Sequence, residues 1–305
     1  MQTSSGSAIA GAVRPTRLAV VVNPKTRRDA KQILSILREE CPRDIRLDVR
    51  VTEFAGHAAD LARRAAPDAD MLMAIGGDGT VSEVSGVARE SGLPLAIVPA
   101  GSTNIIARSL GIPTNARSAI RLAWGANRLR TIDAGLSNDT TFLHMAGAGL
   151  DSMLFDLSNP ALKRRVGWMA YVPAAISALR QPLATYTIRS TERTLEGVQS
   201  PLVLVANGAA IIAPRIRVDR EIAVDDGWLD VFVVTATRPR DIARVMASLA
   251  MQQLRRTPYV EAWRTKAVEI SSEPGIKVQF DGDVSGATPV SIALMPGAVQ
   301  VVVPP

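Results

Sequence analysis

Cysteine and histidine are nearly absent from this chain of 305 residues, which contains one cysteine, Cys41, and two histidines. A single thiol can form no disulfide within the chain, and such a composition is typical of a reducing compartment. With one thiol and two imidazoles, we expect no zinc site. Aromatic residues make up 4% of the chain, and no nucleic-acid-binding motif occurs, so we expect no nucleic-acid partner.

Long apolar runs are also missing. No stretch approaches the ~20 apolar residues that a membrane-spanning helix requires. Residues 1–14 lack the basic and apolar segments of a secretory signal and are predicted to form a disordered tail. Together with the lone cysteine, these absences predict a cytoplasmic protein. The net charge of +6 agrees either with simple solubility or with attraction to anions such as nucleotides and acidic lipid surfaces.

The first half of the chain alternates between strand and helix signals. Continuous apolar, β-branched runs such as RLAVVVNP at 17–24 and MLMAIGG at 71–77 are typical of strands that are buried on both faces. Helical patterns lie between such runs, for example at 29–40 and 80–92. The chain length favours two domains. The alternation predicts an N-terminal doubly wound α/β domain with a parallel sheet over residues 15–130.

Beyond residue 130 the pattern changes. Short strand-like stretches follow one another and are separated by Gly, Pro and Asp turns, which is typical of an antiparallel sandwich or curved sheet. Two helical segments, 160–180 and 239–256, interrupt these strands. The sequence therefore predicts a C-terminal β-rich, β-sandwich-like domain over residues 131–289.

The stretch GGDGT, residues 76–80, lies between a predicted strand and a predicted helix. Such a turn presents backbone N–H groups, and its glycines let a phosphate approach closely. It matches neither common phosphate-binding pattern, because no lysine follows the glycines and Ser82 stands where a dinucleotide fingerprint has its third glycine. Asp78 would repel a bare phosphate, so it favours a bridging divalent cation. A plain glycine turn is the alternative.

Two further polar turns follow predicted strands of the same domain. One, at 98–113, carries Ser102, whose hydroxyl either caps the following helix or donates to a phosphate. The other, at 20–28, carries Asn23, Thr26 and a cluster of basic residues. The carboxyl ends of neighbouring strands in a doubly wound sheet flank one crevice. Three such turns therefore indicate a common anion-binding site.

Five motifs in order along the chain carry a resemblance to one family. They are NPKTR (23–27), GGDGTVSEV (76–84), PAGSTNIIARSLGIP (99–113), NGAAIIAPRIRVDREIAVDDGWLDV (207–231) and FDGD (280–283). Their combination resembles the diacylglycerol kinase catalytic-domain family, above all its soluble bacterial lipid kinases, which are related to sphingosine and ceramide kinases. The resemblance covers residues 17–303. GGDGT alone is shared with NAD kinase and 6-phosphofructokinase, whereas DDGWLDV and FDGD indicate lipid kinases.

The resemblance implies an ATP site in the first domain. The positions that match the family's nucleotide contacts are Asn23, Pro24, Lys25, Thr26, Arg27, Thr52, Gly77, Asp78, Gly79, Thr80, Val81, Ser82, Glu83 and Ser102. Asp78 would act on the magnesium that accompanies ATP, and Glu83 would brace the glycine loop. The C-terminal segment, 290–305, would return to this domain.

The resemblance also implies two acidic sites in the second domain. A second magnesium would bind beside the DDG turn through the carboxylate of Asp226 and the carbonyls of Ala223 and Trp228. From the residues alone, an Asp-Asp-Gly hairpin turn without a metal is the alternative. The family's catalytic base lies in a DGE element. Asp283 takes that place here, with a side chain one methylene shorter, and would accept the proton of the attacking hydroxyl.

Residues 159–182 combine a basic start, Lys163 to Arg165, with Trp168 and Tyr171. The pattern is typical either of an interfacial helix on an anionic bilayer or of a core helix with a solvated basic end. An interfacial helix would give peripheral contact with the inner membrane face, where a lipid acceptor lies. A homodimer is among the assemblies that the sequence leaves open.

The expected protein is an ATP- and Mg²⁺-dependent lipid kinase that converts a diacylglycerol-like hydroxyl into a phosphatidate-like product. The sequence identifies no particular acceptor lipid. Thr26-Arg27 replaces the family's usual Ser-Gly, and GSTNI lacks its usual aspartate, so a catalytically weak lipid- or nucleotide-binding relative is one alternative. A NAD-kinase-like enzyme is the other, and FDGD and DDGWLDV disfavour it.

Overall fold

The computed structural model of the protein describes residues 13–26, 28–149, 183–211 and 213–305. The predicted tail at 1–14 falls almost wholly outside the described residues. Arg27 and the segment 159–182, which carries the predicted membrane contact, also lie outside them.

The described chain divides into two compact units. Unit 1 consists of the residues up to Ala134 together with Pro296–Pro305, and unit 2 consists of Gly135–Met295. The boundary deduced from the sequence, at 130/131, is four residues before the observed one. Two strands run from one unit into the other, β5 (Arg128–Ser137) and β18 (Val290–Val303).

Unit 1 is an alternation of strands and helices. In chain order its remaining elements are β1 (Arg17–Val22), α1 (Ala30–Glu40), β2 (Arg46–Val51), α2 (His57–Ala65), β3 (Met71–Gly76), α3 (Asp78–Ser91), β4 (Leu95–Pro99), α4 (Ile105–Ser109) and α5 (Ala116–Leu122). A short 3₁₀ turn, Ala66–Asp68, follows α2. The sheet order is β2-β1-β3-β4-β18, and each neighbouring pair is parallel.

The central strands of this sheet are buried on both faces. Every residue of β3 and β4 is buried, as are five of the six residues of β1. Side chains alternate between the two faces of a strand, so burial at consecutive positions requires cover on both sides. Capping defines the helix ends: Asp29 accepts a hydrogen bond from the N–H of Lys31 before α1, and α3 stops at Gly92, whose φ is +70°.

The strand order reverses between β1 and β3. The chain passes from β1 outward to β2, then returns to the other side of β1 with β3 and continues to β4. In open α/β sheets, ligands bind at such a reversal, outside the carboxyl ends of the strands. The Asn23 turn follows β1 and the GGDGT loop follows β3. The predicted doubly wound α/β fold is confirmed, and its topology brings these two turns together.

Unit 2 is mostly antiparallel β-structure. In chain order its elements are β6 (Thr140–Phe142), β7 (Met145–Gly149), β8 (Ala184–Ser190), β9 (Thr194–Ser200), β10 (Leu202–Ala206), β11 (Ala210–Ile211), β12 (Ala213–Arg217), β13 (Leu229–Val234), α6 (Pro239–Ala250), β14 (Val260–Thr265), β15 (Ala267–Glu273), β16 (Lys277–Phe280) and β17 (Asp283–Ala287). One sheet has the order β14-β13-β10-β7-β16-β17; the first part of β18 joins β15, β8 and β9 in the other. The β-sandwich-like class is confirmed.

Strand alternation divides the interior of unit 2 into two cores. Val203 of β10 lies in a core with Tyr186 and Trp263, whereas the next residue, Leu204, lies in a second core with Ile242 of α6. Burial raises the pKa of Tyr186 to about 12. Helix α6 ends at Ala250, so the helix expected over 239–256 is shorter than predicted and is followed by a separate 3₁₀ turn, Leu254–Arg256. No helix among the described residues is long and apolar enough to cross a membrane.

One carboxylate ties the start of β1 to the start of β3. Asp70 accepts hydrogen bonds from the N–H and the hydroxyl of Thr16, at 3.1 and 2.5 Å, and from the N–H of Arg17 at 2.9 Å. The guanidinium of Arg17 lies 2.7 Å from the same carboxylate. The hydrogen bonds from Thr16, followed by those from Arg17, hold the pKa of Asp70 well below its usual range.

We expect Asp70→Asn to lower the free energy of unfolding of unit 1 by about 1–2 kcal/mol at neutral pH, because a charged acceptor of several donors is lost. The ionised form contributes this stability above the ordinary aspartate pKa of about 3.9. The contribution is lost as the pH falls through the lower folded pKa. The difference in the free energy of unfolding between wild type and variant should therefore become smaller below about pH 4.

Urea unfolding at neutral and acidic pH measures this difference. Asp44→Asn is the matched control, since the Asp44–Arg14 pair is exposed on both sides and should change stability by no more than about 0.5 kcal/mol. If Asp70→Asn still lowered the free energy of unfolding by the same amount in strong acid, the stabilising role of the ionised Asp70 carboxylate would be contradicted.

Candidate functional site

Close packing requires a glycine at Gly76, the first position of GGDGT. A Cβ added to Gly76 would lie 2.5 Å from the Cβ of Thr80, which no real side chain tolerates. Thr80 is buried, and its hydroxyl accepts a hydrogen bond of 3.2 Å from the side-chain amide of Asn23. The backbone N–H of Asn23 also donates to the carbonyl of Ile75 at 3.0 Å. The turn after β1 is thereby bonded to the loop after β3.

The third turn packs against the same loop through backbone contact. A Cβ on Gly101 would lie 2.6 Å from the Cα of Gly77, so neither turn could keep its position with a larger residue at 101. The N–H groups of Ala100 and Gly101 both donate to the carbonyl of Gly76, at 2.8 and 3.3 Å. Asn104 is buried, and its amide bonds both the N–H and the carbonyl of Gly101 at 2.9 Å.

Asp78 connects these two turns through its side chain. Its Oδ1 accepts a hydrogen bond of 3.0 Å from the N–H of Ile106, in the first turn of α4. Helix α4 has no side-chain cap from its own N-cap residue, so Asp78 supplies that acceptor from another helix. Asp78 therefore has a structural partner. Its predicted action on the magnesium of ATP stays a prediction.

Glu83 braces a different segment from the one expected. Its carboxylate accepts hydrogen bonds from Gly56, Ala58 and Ala59, at 3.1, 2.8 and 3.3 Å. The N-cap residue of helix α2 is Gly56, which offers no capping side chain, and Glu83 replaces that cap. The expectation that Glu83 braces the glycine loop is corrected: it holds the β2–α2 turn, because this turn packs against α3. Gly79, Val81 and Ser82 belong to the first turns of α3, and the side chain of Val81 is buried.

The remaining predicted nucleotide positions differ in exposure. Thr52 is buried and its N–H donates to the carbonyl of Val22 at 2.9 Å. Pro24, Lys25 and Ser102 are exposed at the carboxyl edge of the sheet. Thr26 is half-buried, and its hydroxyl donates to the carbonyl of Arg28 at 2.6 Å. The side chains open to solvent at this edge thus include a cation and a hydroxyl, both suited to an anionic ligand.

In unit 2, the FDGD element forms a tight hairpin. Asp281 and Gly282 have φ values of +50° and +96°, and Phe280 pairs with Asp283 across the turn. Positive φ at both central residues is the geometry of a two-residue type I′ turn. Asp283, the predicted base, is the first residue of β17 and its side chain is exposed.

The neighbouring carboxylate, Asp281, has a structural role that the sequence did not reveal. It accepts hydrogen bonds from three consecutive backbone N–H groups, those of Leu143, His144 and Met145, at 2.8, 2.8 and 2.9 Å. These residues lead into β7, which pairs with β16. Asp281 therefore fixes the hairpin that carries Asp283 to the beginning of the neighbouring strand.

Two more polar residues, Asn207 and His144, lie at this end of the sheet, and neither was among the predicted site residues. Asn207 follows β10 and is completely buried; its amide donates to the carbonyl of Leu143 at 2.8 Å. His144 is buried and bonds the carbonyl of Ala210 through Nε2, which assigns the proton to that nitrogen. The available signal was the Asn-Gly pair directly after a buried strand. That signal does not reveal the pairing of β7 with β10, which brings Asn207 and His144 together.

The DDG turn does not fit the divalent cation that was predicted for it. The carboxylate of Asp226 lies 3.5 Å from the guanidinium of Arg264, and the ammonium of Lys266 donates to the carbonyl of Gly227. Two fixed positive charges therefore occupy the surroundings of the expected site at Asp226, Ala223 and Trp228. Within the described residues, no group of three or more Asp, Glu, His and Cys side chains is arranged for a metal ion.

We expect Asp281→Asn to lower the free energy of unfolding of unit 2 by about 2 kcal/mol, because an amide cannot accept all three N–H bonds with both of its polar atoms. Asp283→Asn is the matched control. It changes an exposed aspartate of the same hairpin and should alter stability by no more than about 0.5 kcal/mol. Thermal and urea unfolding of both variants measure the difference. Equal destabilisation would show that Asp281 is not the anchor.

Two family models together account for nearly all of the chain. The diacylglycerol kinase catalytic domain matches residues 17–136. The YegS C-terminal NAD kinase beta sandwich-like domain matches residues 144–303. The order of these two matches follows the order of the motifs, with the glycine turns in the first and the DDG and FDGD elements in the second.

Relatives of known sequence agree with these matches. An uncharacterized protein of Synechocystis sp. is 27% identical over 292 residues, which are 89% of this chain and 66% of that protein. A protein of Staphylococcus aureus (strain N315) named "Putative lipid kinase SA0681" is 28% identical over 241 residues, which are 77% of each chain. This chain therefore spans slightly less than two thirds of the Synechocystis protein.

Solved structures share the fold. A crystal structure titled as a "putative diacylglycerol kinase" from Bacillus anthracis str. Sterne superimposes with a TM-score of 0.76 and 25% identity, over 96% of this chain and 99% of that one. Yeast NADH kinase, solved in complex with NADH, superimposes with a TM-score of 0.52 and 10% identity. The match covers 100% of this chain and 89% of the NADH kinase chain. That second likeness concerns the fold alone. The chain belongs to the diacylglycerol kinase family and combines its catalytic domain, residues 17–136, with a YegS C-terminal NAD kinase beta sandwich-like domain, residues 144–303.

Proposed function

We propose that the protein is a lipid kinase that transfers the γ-phosphoryl group of magnesium–ATP to the hydroxyl of a diacylglycerol-like lipid. Membership of a kinase family implies the use of a nucleotide. The lipid acceptor is supported by the names of its relatives and by the DDGWLDV and FDGD motifs. The observation that carries the proposal is the exposed Asp283 on a hairpin anchored by Asp281, within the same chain as the bonded glycine turns.

The turns of unit 1 supply what an ATP phosphate chain requires. Helix α3 begins at the switch point of the sheet and has no side-chain cap. The N–H groups of its first turn are therefore suited to bind a phosphate. Lys25 and Ser102 add a positive charge and a hydroxyl at the same edge. Magnesium, as part of the nucleotide substrate, supplies the charge that offsets the phosphate oxygens.

Asp283 supplies the acid–base step. The lipid hydroxyl oxygen forms a bond to the γ-phosphorus as the bond between that phosphorus and the β–γ bridging oxygen breaks. ADP takes the bonding electrons of the broken bond, and the proton of the hydroxyl passes to the Asp283 carboxylate. The products are a phosphatidate-like lipid and ADP. Asp281 does not take part in this transfer, because its carboxylate is bonded to three backbone N–H groups.

A NAD-kinase-like activity is the second candidate. The specific observation in its favour is the NAD kinase beta sandwich-like family match over residues 144–303. In that reaction the acceptor would be a hydroxyl of a soluble dinucleotide in place of a lipid. A single assay with both acceptors separates the two candidates.

We expect Asp283→Asn to reduce the rate of lipid phosphorylation at least about 100-fold, because the variant has no carboxylate to accept the proton. The measurement is transfer of radiolabel from γ-labelled ATP to lipid in mixed micelles containing diacylglycerol, monoacylglycerol, sphingosine or phosphatidylglycerol, with NAD as a separate acceptor. Asp283→Glu keeps a carboxylate at the same position of the hairpin and should retain activity.

The controls make the outcomes distinct. Thermal unfolding of each variant shows whether lost activity reflects lost fold. Labelled NAD with unlabelled lipid would favour the dinucleotide kinase. Absence of label in every acceptor with a folded wild-type protein would favour the catalytically weak relative. Equal rates for wild type and Asp283→Asn would leave the kinase but remove Asp283 as its base.

We further propose that the protein meets its substrate as a peripheral protein at the cytoplasmic face of a membrane. The net charge of +6 supports attraction to anionic lipid. We expect sedimentation with vesicles containing phosphatidylglycerol to exceed sedimentation with phosphatidylcholine vesicles, and the excess to fall as salt is raised. Equal binding to both vesicles would exclude an electrostatic contact.

A further inference from the structure

The DDG turn is shaped by its own carboxylate. The side chain of Asp226 accepts hydrogen bonds from the N–H of Trp228 at 3.0 Å and from the N–H of Ala223 at 3.4 Å. Gly227 has a φ of +73°, a conformation that favours glycine. Both oxygens of Asp226 therefore face backbone donors of the turn. The same carboxylate is the side-chain ligand that a divalent cation would need.

The register of β13 and β14 brings two cations to this turn. Asp230 of β13 lies directly opposite Arg264 of β14. Side chains two residues apart in a strand share a face. Lys266 directly follows the end of β14, and its ammonium lies 3.8 Å from the centroid of the Trp228 ring. The sequence Arg-Thr-Lys at 264–266 thus directs both positive charges to the DDG turn.

Arg264 contacts three oxygen acceptors around the turn. Its Nε lies 3.2 Å from Oδ1 of Asp230, and its Nη2 lies 3.5 Å from Oδ2 of Asp226. Nη2 also donates to the carbonyl of Glu221 at 3.0 Å. One guanidinium therefore joins two carboxylates and a main-chain carbonyl, which is the combination of ligand types that a hard cation would take at such a turn.

Lys266 contacts two other residues of the turn, Gly227 and Trp228. Its ammonium donates to the carbonyl of Gly227 and lies over the ring of Trp228, a cation–π contact. This carbonyl and this ring belong to consecutive residues of the turn. Lys266 therefore holds the backbone next to Asp226.

Guanidinium groups already pair with the carboxylates around the turn. Asp230 is completely buried and pairs with Arg255 as well as Arg264. Arg255 also lies 3.4 Å from Asp219, and burial lowers the pKa of Arg255. Arg255, Arg264 and Lys266 are thus the cations next to Asp219, Asp226 and Asp230, and Glu221 adds a further carboxylate near Arg255. A divalent ion would add two positive charges beside side chains that are already positive, which is unfavourable at short range.

We infer that Arg264 and Lys266 hold the DDG turn of this chain in place of a divalent cation, so that the fold of unit 2 is independent of magnesium. This inference concerns stability and metal content. It stands apart from the proposed phosphoryl transfer, whose magnesium arrives with the nucleotide.

The first test uses the wild-type protein without nucleotide. Its melting temperature should be the same in EDTA and in millimolar Mg²⁺, Mn²⁺ or Ca²⁺. Tb³⁺ should give no saturable emission on excitation of tryptophan, although Trp228 lies within the turn and would sensitise a bound ion. A rise in melting temperature with Mg²⁺ that Asp226→Asn abolishes would overturn the inference, as would saturable terbium emission that Trp228→Phe removes.

The second test removes the cations. Arg264→Ala should lower the melting temperature of unit 2 by about 4–8 °C, because a buried carboxylate loses one of its partners. Arg193→Ala is the matched control. Arg193 lies between β8 and β9 and pairs with Glu261 of β14, the strand that carries Arg264. Both side chains are about 40% exposed, at 39% and 41%. It should change the melting temperature by no more than about 2 °C.

The same variants should reverse the response to metal. In Arg264→Ala combined with Lys266→Ala, the carboxylates of Asp226 and Asp230 no longer face these two cations. Millimolar Mg²⁺ should then raise the melting temperature toward the wild-type value, whereas the Arg193→Ala control should not respond. A double variant as stable as the control would show that these side chains do not hold the turn and would overturn the inference.

Discussion

The backbone contact between Gly77 and Gly101 is the constraint on which the candidate nucleotide site depends. A Cβ at position 101 would lie 2.6 Å from the Cα of Gly77, and the carbonyl of Gly76 receives two N–H groups from the opposite loop. The contact is possible because β3 and β4 are adjacent and parallel, so both loops leave the same edge of the sheet. Asp78 and Asn23 then add side-chain bonds to a pair of turns that is already fixed.

Two segments of unit 2 each contain two aspartates with different structural environments. In the FDGD hairpin, Asp281 turns inward onto three backbone donors while Asp283 is exposed on the next strand. In the DDGWLD segment, Asp226 shapes the turn and Asp230 is buried against guanidinium groups. A buried carboxylate costs free energy unless it is paired. Its partners therefore make it a rigid support, whereas its exposed neighbour Asp283 lies at the surface of the hairpin.

The sequence predicts strands and turns, which depend on residues close together in the chain. It does not predict hydrogen-bond and ion-pair partners that are far apart in the chain. Runs of consecutive apolar residues identified β1 and β3 in the sequence, and the turns after them were recognised from their own glycine, proline and polar residues. The partners of Asp281 lie more than 130 residues earlier in the chain, and those of Glu83 lie about 25 residues earlier. Arg264 meets Asp226 only through the register of β13 and β14. No periodicity encodes such pairings, since they follow from the order of strands in a sheet.

The two halves of β18 have a consequence for folding during synthesis. Its first residues pair with β15 in unit 2, and Val301 pairs with Leu95 of β4 in unit 1. Unit 2 is therefore an insertion within unit 1, whose last strand is about 200 residues away from β4 along the chain. A ribosome delivers β1 to β4 first and the completing strand last. Until then, β4 presents an open strand edge, so the nascent chain carries an exposed pairing surface for most of its elongation.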